Sequence, residues 1–336
     1  MRILSRADVQ RALSMQDAIA IVRDAFAQLS NGQATVPLRV PVPIQKHDGV
    51  TLFMPAHLHT SDALAVKIVS VHNQNPAKGL PLIHALVVVI DAATGKPLAA
   101  MEGGYLTALR TGAASGVSTD LLARRDARVA AIFGAGTQGR TQLLAVAAVR
   151  KLERVYVFDA VPGQADKFVK EMRGQPGVPN DPSTGSGQAL RAASSSTEAV
   201  READIICTAT TSKRPVFNGN DIKPGVHISA IGAYTPEMQE IDETTLKRAS
   251  KIVIDHHEGA LAEAGDLIIA LKNGAIKESD IYGEIGEIAA GKKPGRERDD
   301  EITFFKSVGN AVQDASVARA IYDAAMKQNL GTEVEL

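Results

Sequence analysis

Gly134, Gly136 and Gly139 stand at G-x-G-x-x-G spacing, directly after the apolar run Val129-Ala-Ala-Ile-Phe133 and just before the helix-forming Leu143-Leu-Ala-Val-Ala-Ala-Val149. A tight glycine turn at that place lets backbone N–H groups approach a pyrophosphate, and the helix N-terminus that follows adds a favourable dipole. About 20 residues beyond Gly139 a second apolar run, Val155-Tyr-Val-Phe158, ends in Asp159, where an acid would bind the hydroxyls of an adenosine ribose. A structural glycine turn in some other α/β domain is the competing reading. Strand, glycines, helix and acid together favour a dinucleotide site. Asp159 would repel a 2′-phosphate, and Ala160-Val-Pro beside it offers no arginine, so NAD(H) is expected in preference to NADP(H).

A second set of residues suits an anion. Arg39, Lys67 and Arg110 punctuate the chain before the glycine loop, and Lys67 sits inside the apolar Ala65-Val-Lys-Ile-Val69. A cation there needs an anionic partner or a cavity. Arginine forks pair well with carboxylates, so the three together would hold an α-carboxylate. The alternative is that each snorkels or makes a surface ion pair. Thr208-Ala-Thr-Thr-Ser212 and Ile231-Gly232-Ala-Tyr234 each follow an apolar run. In a doubly wound sheet the strand ends border the ligand crevice, although turn chemistry alone would also explain both segments.

The elements that position these residues change character along the chain. Ser14 and Asp17 resemble a helix-capping pair, with apolar residues on one helical face from Ala18 to Leu29 and a stop at Asn31-Gly32. Strand patterns follow at Val36 to Val42, Thr51 to Met54, Ala65 to Val71 and Ala85 to Ile90, the last leading through an Asp91–Lys96 turn into Pro97-Leu-Ala-Ala-Met101. Connections this short predict a mainly antiparallel sheet. A helix over Leu106 to Leu122 then enters a region of strand–helix alternation, which predicts a parallel sheet with helices on both faces. Gly174 to Gly187 is expected as a surface loop, and Ser307 to Met326 as one amphipathic helix.

Composition excludes several classes. The chain has 336 residues, 45% hydrophobic and 22% charged, with net charge −1, so no nucleic-acid or acidic-membrane partner is expected. No apolar run approaches bilayer length, and Met1-Arg-Ile-Leu-Ser-Arg has no signal core, which suggests a cytoplasmic protein. The single cysteine, Cys207, reads as a buried structural thiol. The eight histidines show no metal-site spacing, so no metal is expected.

With these pieces in place the chain resembles the ornithine cyclodeaminase/mu-crystallin family over nearly its whole length. The resemblance is carried by Met54-Pro-Ala, Lys67 in its strand, Gly79-Leu-Pro, Asp91-x-x-Thr-Gly-x-Pro-Leu-Ala, Leu106-Thr-Ala-Leu-Arg-Thr-Gly, Gly134-Ala-Gly-Thr-Gln138, Glu263-Ala-Gly-Asp-Leu267 and Phe305-Lys-Ser-Val-Gly309. It implies an α/β fold in which a Rossmann-type doubly wound parallel sheet, residues 118–309, is inserted between the parts of an α+β substrate-binding and dimerisation domain, residues 1–117 and 310–336. It implies a homodimer, a nicotinamide cofactor, and a small imino or amino acid substrate. Arg39, Lys67 and Arg110 fall on substrate-binding positions, Gly136, Thr137, Gln138, Asp159 and Thr208 on cofactor positions, and Ser307 near the nicotinamide end.

One departure bears on the reaction. True ornithine cyclodeaminases carry a catalytic aspartate after the glycine equivalent to Gly232, and a lysine four residues later; here these positions hold Tyr234 and Met238. Tyrosine, with a reference pKa of ~10, is a poor base near neutrality. Reduction of a cyclic ketimine such as 1-pyrroline-2-carboxylate or 1-piperideine-2-carboxylate does not need that base. It is the expected activity, with Lys67 and Tyr234 as candidate catalytic residues and His84 or water as other proton sources. An alanine, arginine or opine-type dehydrogenase, ornithine cyclodeamination, and a weakly catalytic ligand-binding protein of mu-crystallin type are the competing expectations.

Overall fold

The computed structural model describes residues 1–179 and 189–335, so the expected loop over 174–187 lies outside the described residues from position 180 onward. The chain divides into two compact units, Met1–Arg110 with Asn310–Leu336, and Thr111–Gly309.

The first unit opens with β1 (Arg2–Leu4), α1 (Arg6–Ala12) and α2 (Met15–Ser30). Ser14 caps α2, its hydroxyl accepting from the Asp17 amide at 3.1 Å, and Gly32 ends it at φ +70°. Then come β2 (Ala34–Thr35), β3 (Val40–Ile44), β4 (Gly49–Leu58), β5 (Ala63–His72), β6 (Ile83–Asp91) and β7 (Pro97–Glu102). Of the strand expected over Val36 to Val42 only residues 40–42 form one, as part of β3; residues 36–39, with Pro37 among them, are irregular. Pro41 and Pro43 confine β3 to an edge, paired with β4 alone, since proline has no N–H for a second neighbour. Both neighbours of β5 are antiparallel to it, and the Asp91–Lys96 turn joins β6 to β7 as a hairpin. The helix after β7, α3 (Gly103–Leu122), starts three residues earlier than its apolar pattern suggests. The Glu102 carboxylate caps it by accepting from the amides of Gly104 and Tyr105 at 2.8 and 2.9 Å.

Alternation along β4, β5 and β6 separates two faces. Met54, Ala56, Ala65, Lys67, Val87 and Val89 are buried on one, whereas Val40, Phe53, Ile68 and Leu86 form a cross-strand row on the other. In that row Val40, Phe53 and Leu86 are 55%, 37% and 43% exposed. Exposed apolar side chains thus stand side by side on β3 and β4 and again on β6.

The second unit comprises β8 (Val129–Phe133), α4 (Thr137–Val149), β9 (Arg154–Phe158), α5 (Gln164–Met172), β10 (Leu190–Ala192), α6 (Ser196–Arg201), β11 (Ile205–Thr208), β12 (His227–Ala230), α7 (Glu243–Arg248), β13 (Lys251–Ile254), α8 (His257–Glu263), α9 (Gly265–Lys272), β14 (Ile281–Glu284), α10 (Ile285–Ala289) and β15 (Thr303–Lys306). Its sheet has the order β10-β9-β8-β11-β12-β15-β13-β14 with every pairing parallel. The strands are short, and the central β8 is continuously apolar because both faces are covered, by one cluster around Phe133, Ile206 and Phe304 and another around Ile132, Leu143 and Phe168. Chain direction across the sheet reverses between β8 and β11, which makes their carboxyl ends the switch point of a Rossmann-type sheet. Cys207 lies in β11, where burial pushes its thiol up to about 12.

The first unit is completed by α11 (Ala311–Gln328) and β16 (Thr332–Glu333). The helix expected from Ser307 starts later. Thr303–Lys306 is the strand β15, Gly309 has φ +85°, and the Asn310 side chain caps the Val312 amide at 3.0 Å. Nor is α11 simply amphipathic, for every residue from Ala311 to Ala318 is buried. It packs on α2, β4 and β5. The sheet order of this unit is β16-β1-β7-β6-β5-β4-β2.

Candidate active site

The second unit carries the glycine loop at its switch point. Gly134, at φ +96°, passes so close to β11 that a Cβ there would lie 2.5 Å from the Ala209 carbonyl oxygen. A Cβ on Gly139 would collide with the Gly134 carbonyl. Gly136 caps α4, and Gly136 and Thr137 are exposed with Gln138 half-buried beside them. The first-turn amides of α4 therefore face solvent where an anion would be held.

Asp159 braces this loop. One carboxylate oxygen accepts from the Ala135 amide at 2.7 Å and the other from the Val161 amide at 2.8 Å. The Ala135 carbonyl accepts from Arg140 at 2.7 Å, and Arg140 is paired in turn with Glu171. A glycine turn that admits no Cβ at Gly134 or Gly139, an exposed helix N-terminus and a half-exposed acid at the second strand tip fit a dinucleotide.

A group that sequence reasoning missed organises the adjoining loops. Glu240 is fully buried, and its carboxylate accepts from the Thr208 hydroxyl (2.8 Å), the Thr210 amide (2.6 Å) and hydroxyl (2.8 Å), the Gly232 amide (2.7 Å) and the Ala233 amide (3.2 Å). Burial pushes this carboxyl above its ordinary value; Lys306 opposes the shift and Asp266 adds to it. Lys306 and Asp266 form a buried ion pair at 2.8 Å, and the other Asp266 oxygen accepts from the Glu240 and Ile241 amides. Thr208 is thus turned to Glu240, and it orders the loop through its hydroxyl. Tyr234 follows the same loop; burial pushes its hydroxyl up, so it can donate a hydrogen bond but is a still poorer base. Ser307 donates to Asp255 at 2.7 Å, and the same carboxylate oxygen accepts from the amides of Val308 and Gly309.

In the first unit the fold brings Lys67 and Arg110 together around a carboxylate supplied by α11. Lys67 Nζ lies 2.9 and 2.8 Å from the two oxygens of Asp314, and Arg110 Nε lies 3.0 Å from one of them. All three side chains are buried. Burial holds the Lys67 amine down to about 7; Arg110 and Arg39 push in the same direction and Asp314 opposes them. Arg39, half-buried in the segment before β3, is thus close enough for its charge to act on Lys67. Lys67 and Arg110 set two cations against the one carboxylate of Asp314. His84 does not join them: it pairs in register with Ser70, an odd number of residues from Lys67, and so projects from the opposite face of β5–β6. Among the described residues no group of three or more His, Cys, Asp or Glu side chains could hold a metal, and no helix is long and apolar enough to cross a membrane.

The profile of the ornithine cyclodeaminase/mu-crystallin family matches residues 1–329. The chain belongs to that family. Among its members, the Δ1-pyrroline-2-carboxylate reductase of Bacillus cereus is 38% identical over 339 residues, covering 100% of both chains. The structure of Thermococcus litoralis Δ1-pyrroline-2-carboxylate reductase, in complex with NADH and L-proline, superposes with a TM-score of 0.93 at 45% identity, covering 99% of this chain and 100% of that one. An archaeal alanine dehydrogenase dimer with bound NAD has a TM-score of 0.89 at 37% identity, covering 100% and 99%.

Proposed function

We propose that the protein is an oxidoreductase that reduces cyclic imino acids, 1-pyrroline-2-carboxylate to proline and 1-piperideine-2-carboxylate to pipecolate. The observation that carries this reading is the buried Lys67–Arg110–Asp314 cluster, together with the absence of a carboxylate at Tyr234. The cations anchor the substrate carboxylate. Lys67, with its amine held near neutrality, keeps a proton at the imine nitrogen. A protonated C=N bond has an electron-poor carbon, so no strong base is required. The glycine loop, Asp159 and the loops that Glu240 orders would hold the nicotinamide cofactor, which would supply the hydride. The balance is one hydride to C2 and one proton to nitrogen, with NADH leaving as NAD+. Turnover of either cyclic imine with NADH tests the reading; absence of turnover over a broad pH range would reject it.

Asp159 supports NADH over NADPH, because its carboxylate stands at the second strand tip with both oxygens oriented by backbone amides. Asp159→Ser is expected to narrow the NADH/NADPH ratio of kcat/KM roughly tenfold by removing a charge that repels the 2′-phosphate. Steady-state kinetics with both cofactors measures this, and an unchanged ratio would remove Asp159 from the account.

The row Val40–Phe53–Ile68–Leu86 supports a homodimer formed through the outer sheet face, in line with the dimer described for the archaeal alanine dehydrogenase. Phe53→Asp places a charge in that row and is expected to yield monomers by light scattering. A variant that stays dimeric would put the interface elsewhere.

The alanine dehydrogenase relative favours one second reading, reductive amination of an open-chain keto acid on the same carboxylate anchor. Faster turnover of pyruvate plus ammonia than of either cyclic imine would select it.

A further inference from the structure

Gln313 precedes Asp314 in α11 and is fully buried. Its Oε1 accepts from Arg110 NH1 at 2.9 Å and from the Asn310 amide at 2.8 Å. Two donors converging on one atom decide which end of the side-chain amide is oxygen, since an NH2 group could accept from neither. The other end is therefore a donor, and this Nε2 is buried with no hydrogen-bond partner among the described residues. A buried donor left unmet is costly, and in a folded protein it calls for an explanation.

The surroundings supply one. Arg110 is gripped on one side by the neutral Gln313 oxygen and on the other by Asp314, which also holds Lys67. The charged groups that act on the neighbouring Lys67 come from three segments: Arg110 on α3, Arg39 before β3, and Asp314 beside Gln313 on α11. Arg110 therefore donates to the neutral Gln313 oxygen through Nη1, while the carboxylate beside its Nε, that of Asp314, is shared with Lys67.

We propose that Gln313 is a substrate-contacting specificity residue: its Nε2–H donates to a carboxylate oxygen of the bound imino acid, and its neutrality keeps the cluster cationic toward that anion. The inference rests on the reading that this cluster anchors the substrate carboxylate.

Gln313→Glu tests both parts with almost no change in size. The new carboxylate can still accept from Arg110 and Asn310, but it loses the donor and adds a charge that repels the substrate. KM for 1-pyrroline-2-carboxylate is expected to rise roughly tenfold or more, with a smaller change in kcat and an unchanged KM for NADH. The added anion beside Arg110 and Lys67 favours the protonated amine, so the alkaline limb of the kcat/KM profile should move to higher pH. Gln313→Met removes donor and acceptor without adding charge; KM should rise and the limb should stay close to its parental position. KM values within twofold of the parent in Gln313→Met would overturn the contact even if Gln313→Glu does not fold, and an unmoved limb in a folded Gln313→Glu would overturn the electrostatic part.

Calorimetric titration of the NADH-saturated protein with L-proline separates this from failure of the reductase reading. A parent that binds L-proline but reduces no imine, with weaker binding in Gln313→Met, rejects the reaction and supports the contact. Equal affinity in parent and variant rejects the contact.

Discussion

Replacing Lys67 by methionine is expected to lower kcat/KM for the cyclic imine by about a hundred- to ten-thousandfold, the range typical of losing a positioned proton donor. KM for NADH should be unchanged, because the glycine loop belongs to the other compact unit. The sign of the pH dependence follows from the environment of the amine. Burial, with Arg110 and Arg39, lowers Lys67 from its ordinary value to about 7. The proton it must hold is present below that pH and lost above it, so parental kcat/KM should fall as pH rises through about 7. Lys67→Arg keeps a charge at all these pH values; its activity should be low, and the limb should disappear. Steady-state kinetics over a pH series reads both effects. A Lys67→Met variant within tenfold of the parent would dismiss Lys67 as the acid.

Glu240→Gln is expected to raise KM for NADH roughly tenfold and to lower the melting temperature, because a side-chain amide has one acceptor oxygen where five donors now converge on two. Those donors come from the end of β11, at Thr208, and from the loops after β11 and β12, at Thr210, Gly232 and Ala233. Amide hydrogen exchange tests the local claim independently of turnover. Protection at Thr210, Gly232 and Ala233 should fall while that of Val129–Phe133 is retained. Exchange left unaltered at the three amides, with parental KM for NADH, would show that Glu240 orders neither loop.

How far the sequence shows this design depends on the range of each interaction. The glycine loop is legible because strand, turn and helix are contiguous, although of the three glycines only Gly139 answers a steric demand within a few residues, the Gly134 carbonyl. Lys67 is legible because a lone cation interrupts an apolar alternation. Its partner Asp314 is not, since the two are 247 positions apart and no local pattern links them. Gln313 and Asp314 also read as the wet face of an amphipathic helix, whereas α11 is buried from Ala311 to Ala318. Glu240 escapes for a similar reason: it stands in an irregular segment with neither period nor motif, and its meaning comes from amides in two other loops. Proline made the opposite error, for Val36 to Val42 reads as one strand, whereas residues 36–39, with Pro37 among them, are irregular.

The most direct test of the central claim is to incubate the purified protein with 1-piperideine-2-carboxylate and NADH carrying deuterium on the transferring face of C4, and to locate the label in the product. The account predicts pipecolate of a single configuration, with one deuterium at C2 and one equivalent of NAD+ formed. Cofactor left unoxidised, or pipecolate formed without deuterium at C2, would contradict it.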